Sequence, residues 1–214
     1  MKTYRLNMPV GELSPAVDAC LATDRQPSPT VVDVSLIPDS ALVTRGRPLF
    51  LPDFVAGGGW RLCVAPMFRI GRLGKFIEPR FAHRYVDGVG VCATLLPGGA
   101  GGVQTLEAAF DGSLVIGQFA PVESDSFSTS TIEIEAFGRH TAVGCGHIRL
   151  HDIIALLSRC STLRTGDIVI PGLLPTLESE PQIGMEVNAT ASVVTAPGAD
   201  TPRVAIPPLC FRVK

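Results

Sequence analysis

The sequence predicts a single α+β domain that is mainly β and carries two or three helices. Three observations support this prediction. A chain of 214 residues is long enough for one substantial hydrophobic core and is more typical of one domain than of two. Its 22 glycines and 18 prolines interrupt the chain at short intervals, as expected where many strands are joined by turns. Only one segment has the sustained 3.6-residue periodicity of an amphipathic helix.

The first part of the chain predicts strands with irregular connections. Residues 1–37 contain one partly alternating stretch, 30–36, that predicts a strand. Residues 38–54 have an irregular to hairpin-like pattern with a turn at residues 45–47. The apolar run at 60–67 follows three glycines and is short enough to be a buried strand.

The centre of the predicted fold is the segment IGRLGKFIEPRFAHRYVD, residues 70–87. Its glycines predict a turn between strands. Glu78 and Pro79 suit the first turn of a helix, because a carboxylate complements the positive end of the helix dipole and proline needs no N–H partner there. An apolar run follows at 89–96. The segment therefore predicts a strand–helix–strand unit.

A β-hairpin is predicted where isoleucines alternate with glutamates, at residues 131–136. Gly138 supplies the turn, and residues 141–145 return as the second strand. On this pattern Glu133 and Glu135 form a solvated strand face rather than a pair of catalytic carboxylates.

The C-terminal third predicts the one long helix and two more strands. Residues 151–160 have apolar residues at helical spacing. A turn at 165–167 leads into an apolar strand at 168–170, and residues 185–194 form a strand of polar alternation. The glycine- and proline-containing stretch 195–203 predicts an exposed loop.

Composition excludes several classes of partner. The net charge is −2, and the basic residues form no cluster, which argues against a nucleic acid or an anionic membrane as a partner. The sequence has no 18-residue apolar stretch and opens with MKTYRLNMPV, which lacks an apolar leader; we therefore expect a cytoplasmic protein. The six cysteines form no C-x-x-C pair and are predicted to be small buried thiols.

Four stretches carry a family resemblance. The central one, RLGKFIEPRFAHRYVDGV, matches a pattern RLGKxIxxRFAHRYYD, and residues 38–54, 110–118 and 151–172 match further segments in the same order. These stretches resemble the fumarylacetoacetate hydrolase family. The resemblance implies a mixed β-roll or sandwich fold and, because family members are commonly homodimers, a dimeric assembly.

Active members of that family hold Mg²⁺ or Mn²⁺ with three carboxylates, two from an E-x-E pair on a strand and one from an aspartate. Residues two apart on a strand point to the same face, so both glutamates reach one ion. The ion binds substrate oxygens and stabilises the enolate that forms as a C–C bond breaks or a proton moves. A lysine, a His and Glu pair, and a T-G-T-P turn complete the family site.

In this chain the resemblance places residues of other chemistry at every one of those positions. The three metal-ligand positions fall on Cys63, Ala65 and Thr94. The catalytic and substrate-binding positions fall on Gly11, Ser14, Ala108, Pro171 and Leu173. No Asp or Glu occurs in residues 55–75 or 88–106, so shifting the alignment restores no ligand. The resemblance therefore implies no catalytic residue, no metal and no other cofactor here.

Two sharper interpretations of the cysteines remain open. Cys63 and Cys92 with His83 would form a soft-metal site, or a thiol nucleophile with its base. We favour packing of both cysteines as small hydrophobic residues in central strands.

Two other sequence features predict structure rather than function. His140, His147 and His151 are close in sequence but lack the spacing of metal ligands. The glycine-rich stretch 98–102 looks like a phosphate cradle, yet no lysine or helix start follows it.

Three functions are compatible with these observations. The leading one is a catalytically inactive scaffold or interaction protein, with a second copy of the chain or a paralogue as its partner. The second is a hydrolase, isomerase or decarboxylase that acts on a small 2-oxo acid or acylpyruvate through an altered site. The third is a small-molecule binding module that uses the emptied pocket, now more apolar, for a neutral metabolite.

Overall fold

The computed structural model describes residues 1–13, 17–18, 32–44, 46–54, 59–98, 109–122, 129–195 and 203–214. In these residues the strands are β1 (Thr3–Leu6), β2 (Val34–Ile37), β3 (Leu42–Val43), β4 (Trp60–Ile70), β5 (Val86–Pro97), β6 (Leu114–Pro121), β7 (Thr131–Ala136), β8 (Arg139–Gly144), β9 (Ile168–Ile170), β10 (Glu178–Ser179), β11 (Glu186–Val194) and β12 (Arg203–Arg212). The helices described over their full length are the α-helices Cys145–Ile148 and Leu150–Cys160 and the 3₁₀ helices Val10–Glu12, Asp39–Ala41, Pro79–Tyr85 and Pro175–Leu177. This architecture confirms the predicted α+β, mainly β class.

The strands form two sheets. The first runs in the order β2–β1–β9–β4–β5–β6–β3, with β10 paired to β4, and it is curled. The second runs in the order β12–β11–β7–β8, and β12 packs against β5 and β6 of the first sheet. None of the helices formed by the described residues is both long and apolar enough to span a membrane.

The antiparallel pair of β4 and β5 is the centre of the first sheet, as the strand–helix–strand prediction required. Nearly every residue of both strands is buried, which explains why their sequences are apolar runs instead of alternating patterns. The connecting helix is a 3₁₀ helix with Pro79 in its first turn. Glu78 lies just outside that first turn, in an extended conformation, and not inside it as predicted.

The long helix Leu150–Cys160 confirms its prediction and is attached to the central segment by buried hydrogen bonds. Ser158 Oγ accepts the backbone N–H of Ile77 at 2.9 Å and donates to the carbonyl of Ala155 at 2.8 Å. The carbonyl of Ser158 accepts the N–H of Phe76 at 3.1 Å. Phe76 has a φ of 54°, which is uncommon for a bulky residue.

The predicted hairpin is present as β7 and β8, with a two-residue turn at Phe137 and Gly138, both at positive φ. Such a turn matches the right-handed twist of the two strands. Ile132 and Ile134 are fully buried on one face, and Glu133 and Glu135 lie on the other. The solvated-face interpretation of the glutamates is therefore confirmed.

The irregular part of the prediction for residues 38–54 agrees with the structure, and the hairpin-like part is wrong. Gly46 does lie in a turn, but β3 pairs in parallel with β6, and Leu49 forms a parallel bridge to Val213. Both partners are distant in sequence, and a local pattern cannot specify them.

The predicted strands at 168–170 and 185–194 are β9 and β11. The strand predicted at 30–36 is β2, shifted towards the C-terminus, while most of the predicted 195–203 loop falls outside the described residues.

The prediction of buried cysteines holds for three of them. Cys63, Cys92 and Cys145 are buried, whereas Cys160 and Cys210 are exposed. Cys160 is the last residue of the long helix, after the buried residues of its apolar face. Cys20 lies outside the described residues.

The first sheet has a core on each of its faces. One face packs into the main core with the second sheet and the long helix; Phe68, Val89 and Val169 belong to it. The opposite face carries a smaller cluster, Ile37, Ala41, Ala65, Met67, Cys92, Leu114, Ile168 and Ile170. We call this second face the inner face, and the candidate site lies on it.

Candidate functional site

The register of β4 and β5 brings together the three positions that the family resemblance assigns to metal ligands. Cys63 is directly opposite Thr94, and Ala65 is directly opposite Cys92. Residues two apart on a strand share a face, and paired residues on neighbouring strands do too. All four residues therefore lie on the inner face, and each of them is fully buried.

The neighbours of these residues are mainly apolar. Cys63 packs with Leu96 and Leu173, and Ala65 and Cys92 belong to the inner-face cluster. The thiols donate only weak contacts to backbone carbonyls, 3.6 Å from Cys63 Sγ to Leu174 O and 3.5 Å from Cys92 Sγ to Ala65 O. Burial raises the pKa of Cys63 to about 12 and also raises the pKa of Cys92. Both thiols therefore stay protonated and are poor nucleophiles or ligands.

The other family positions partly converge on the same place. Leu173 packs on Cys63, its carbonyl accepts the N–H of Val10 at 3.0 Å, and its own N–H donates to Met8 O at 2.9 Å. Gly11 follows Val10 directly and so lies at this edge of the site. Pro171 is buried beside Leu173, while Ser14 and Ala108 fall outside the described residues.

Arg5 is the residue at this site that the sequence did not reveal. Arg5 pairs with Ile170 of β9, which places its side chain on the inner face. Its Nη1 donates to Thr94 Oγ1 at 2.6 Å, and its Nε donates to Asn7 Oδ1 at 2.9 Å. Asn7 Nδ2 in turn donates to Ser35 Oγ at 2.6 Å. A guanidinium thus contacts one of the three metal-ligand positions.

The Arg5 guanidinium is fully buried and charged. Its exposed fraction is 0%, and burial lowers its pKa to about 10, which still leaves it protonated at neutral pH. Its Nη2 has no hydrogen-bond partner among the described residues. None of the ion pairs found in the described part of the chain includes Arg5.

Comparison with solved structures identifies the fold. The chain superposes on the fumarylpyruvate hydrolase of Pseudomonas aeruginosa in complex with Mn²⁺ and pyruvate with a TM-score of 0.67 and 16% identity, covering 100% of this chain and 89% of that one. A putative fumarylacetoacetate isomerase/hydrolase from Oleispira antarctica gives a TM-score of 0.69 with 14% identity and coverage of 100% and 93%. The maleylpyruvate hydrolase from Sphingobium sp. SYK-6 gives 0.68 with 15% identity and coverage of 99% and 70%.

The chain has the fumarylacetoacetate hydrolase fold. No protein-family model and no curated protein matches the sequence. The fold is therefore shown by the arrangement of the strands, and the fold expected from the four matching stretches is confirmed.

Within the fumarylacetoacetate hydrolase fold, the donors at the metal-ligand positions do not fit Mg²⁺ or Mn²⁺. These hard dications require anionic oxygens in near-octahedral geometry. Here the three positions offer a protonated thiol, a methyl group and a hydroxyl that already accepts a hydrogen bond from a cation. No group of three His, Cys, Asp or Glu side chains able to hold a metal occurs among the described residues.

The structure places His83 elsewhere in the fold than the two cysteines. His83 lies in the 3₁₀ helix Pro79–Tyr85, with its ring centroid 6.1 Å from that of His151. It lines a surface cavity of about 250 Å³ together with Arg72, Arg84 and Asp87. The soft-metal arrangement of Cys63, Cys92 and His83 is therefore not assembled.

The remaining histidines are also dispersed. His140 lies on β8 opposite Glu135, and His147 lies in the short helix Cys145–Ile148. His140 lines a polar cavity of about 300 Å³ with Glu133, Glu135 and Arg203, where Arg203 pairs with Glu133 at 3.1 Å. A third surface cavity, of about 630 Å³, is lined by β11, β12 and residues 46–48. None of these three cavities includes Cys63, Ala65 or Thr94.

No local signal would have revealed Arg5. Thr3, Arg5 and Asn7 alternate with the apolar Tyr4 and Leu6, a pattern typical of a strand with one solvated face. The polar face is nevertheless buried, because β2 and β9 flank β1 and the curled sheet encloses it. Only the pairing of distant strands shows that Arg5 faces Thr94.

Proposed function

We propose that this chain is a member of the fumarylacetoacetate hydrolase family that has lost the metal-dependent reaction and acts as a scaffold or interaction protein. The observation that carries the proposal is the contact of Arg5 with Thr94. At the place where the family resemblance puts carboxylates and a dication, this chain has a buried cation of its own, and the three ligand positions are Cys63, Ala65 and Thr94, none of them acidic.

Electrostatics supports the loss of the metal. A dication and a guanidinium about 5 Å apart repel each other by about 7 kcal/mol even at an effective dielectric constant of about 20. No described carboxylate forms an ion pair with Arg5 that would offset this repulsion. Since Mg²⁺ also gives up its water reluctantly, a thiol and a hydroxyl cannot compensate for its dehydration.

Thermal unfolding with and without metal tests the proposal. We expect the melting temperature of this protein to be unchanged by excess Mn²⁺ or Mg²⁺, while the fumarylpyruvate hydrolase of Pseudomonas aeruginosa, whose structure contains Mn²⁺, is stabilised in the same assay. Neither metal should support turnover of an acylpyruvate by this chain. A metal-dependent rise of several degrees, or turnover that EDTA abolishes, would contradict the proposal.

Exposed apolar side chains support an interaction role. Leu73 and Phe76, in the central segment, are 69% and 70% exposed, and Phe81 is also exposed in the helix that follows. Exposed apolar side chains concentrated in one segment of the chain mark contact surfaces more often than the free surface of a monomer. We propose a homodimer, or a hetero-oligomer with a paralogue, as the assembly that uses this surface.

As part of the same proposal, we propose that the protein is cytoplasmic. All five described cysteines are free thiols, including the exposed Cys160 and Cys210. Free thiols are typical of a reducing compartment.

A further inference from the structure

The inner face of the first sheet contains a positive charge without a counter-charge. Arg5 is 0% exposed, and the two side chains that accept its hydrogen bonds, Asn7 and Thr94, are both neutral. Arginine retains its proton in proteins under nearly all conditions. A buried cation held only by neutral acceptors is strongly disfavoured unless an anion accompanies it.

The neighbouring thiols do not supply that anion. If they were ionised, Cys63 and Cys92 would have the strongest electrostatic effect on Arg5. Burial, however, keeps both in the neutral thiol form. Asp33 also acts on Arg5 through space, yet its residue is exposed and forms no ion pair with the guanidinium. Among the described residues the charge of Arg5 is therefore not neutralised.

Two buried polar groups on this face also lack a partner. Arg5 Nη2 has no acceptor among the described residues, and Thr3 Oγ1, two residues earlier on the same face of β1, has no hydrogen-bond partner there either. Buried donors of this kind are nearly always satisfied by protein, water or a ligand. Arg5 Nη2 is a charged donor, and a negatively charged acceptor is the partner that suits it best.

We propose that Arg5 binds one small monovalent anion through Nη2, on the inner face of the first sheet. Its chemical class is a halide or a short carboxylate such as formate, because the neighbouring residues Cys63, Thr94 and Ile170 are all fully buried and an enclosed position favours a ligand of few atoms. A charge-assisted hydrogen bond from a guanidinium suits either anion. The proposal goes beyond the loss of the metal reaction, since it gives the emptied site an anionic ligand, where the sequence suggested a neutral one.

Thermal unfolding in a series of anions tests the proposal. The probes are sodium chloride and sodium formate, each titrated at constant ionic strength against sodium sulfate. For the unaltered protein we expect the melting temperature to rise by about 3–5 °C for each tenfold increase in anion concentration above the dissociation constant. Arg5→Met should abolish the dependence, whereas the matched control Arg47→Met, at an exposed arginine, should retain it. Equal dependence in the unaltered protein and Arg5→Met would overturn the proposal.

Crystals grown in bromide provide a test that needs no variant to fold. We expect an anomalous bromide peak within hydrogen-bonding distance of Arg5 Nη2. A guanidinium paired instead with a carboxylate of the chain itself, for example that of Glu107 from outside the described residues, would overturn the proposal.

In the thermal unfolding series, a chloride effect without a formate effect identifies the ligand as a halide, and the reverse identifies it as a carboxylate. Failure of anion binding leaves the absence of metal stabilisation untouched, so the two proposals can fail separately.

Discussion

Arg5 Nη1 donates a 2.6 Å hydrogen bond to Thr94 Oγ1, which joins the first strand of the chain to a strand 89 residues later. The bond crosses the inner face of the curled sheet at the position where the family resemblance puts a metal ligand. A residue from β1 thereby provides a fixed positive charge at a place where active relatives are expected to hold a metal ion. The consequences of this contact can be measured.

Thr94→Val is expected to reduce the free energy of unfolding by about 1–3 kcal/mol, because it leaves a buried charged donor without its acceptor while conserving side-chain shape. Urea unfolding measures the change. In an Arg5→Met background the same substitution should cost clearly less, since the donor is already absent. Equal costs in the two backgrounds would show that the hydrogen bond contributes nothing.

Thiol labelling of the folded protein should separate the described cysteines into two groups. We expect Cys160 and Cys210 to react with a maleimide rapidly, since both are exposed. Cys63 and Cys145 should be protected, because burial raises the pKa of each to about 12, and Cys92 should be protected for the same reason. Peptide mass spectrometry identifies the labelled sites, and labelling in denaturant shows that all five can react. Fast native labelling of Cys63 would contradict its burial.

The stability of the protein should decrease as the pH falls below about 6.5, with His151 contributing. Burial lowers the pKa of His151, and the nearby His83 lowers it further, while Asp152 opposes the shift. The unfolded chain therefore binds a proton near pH 6.5 that the folded chain binds only at lower pH, so protonation favours unfolding. The change in melting temperature between pH 7.5 and pH 5.5 should be smaller in His151→Gln. The control His140→Gln, at an exposed histidine, should follow the unaltered protein.

Phe76→Asn should weaken self-association without unfolding the protein. The substitution removes a ring that is 70% exposed, and asparagine tolerates the positive φ of 54° at this position better than phenylalanine. Sedimentation measures the mass of the assembly, which we expect to move towards the monomer. Ile183→Asn, at a turn residue that is 79% exposed, is the matched control and should leave the mass unchanged. A monomeric unaltered protein, or an unaltered mass in Phe76→Asn, would refute the proposed surface.

Much of the secondary structure could be predicted because its signals are local. The apolar runs of β4 and β5, the alternation of β7 and the helical spacing of Leu150–Cys160 are each contained within a few turns of chain. The pairing of β3 with β6 could not be predicted, because no local pattern specifies a partner some 70 residues away.

The amino-acid sequence by itself determined the composition of the candidate site. Positions 63, 65 and 94 carry no acidic side chain in any conformation of the chain. This suffices to predict that these positions do not hold a dication. Only the tertiary structure decided that a cation lies there. Arg5 has the sequence pattern of a solvated strand residue, and it is buried beside Thr94 because β1 pairs with β2 and β9 in a curled sheet. The burial of a charge is a property of the surrounding strands, so the residues next to Arg5 in the sequence could not reveal it.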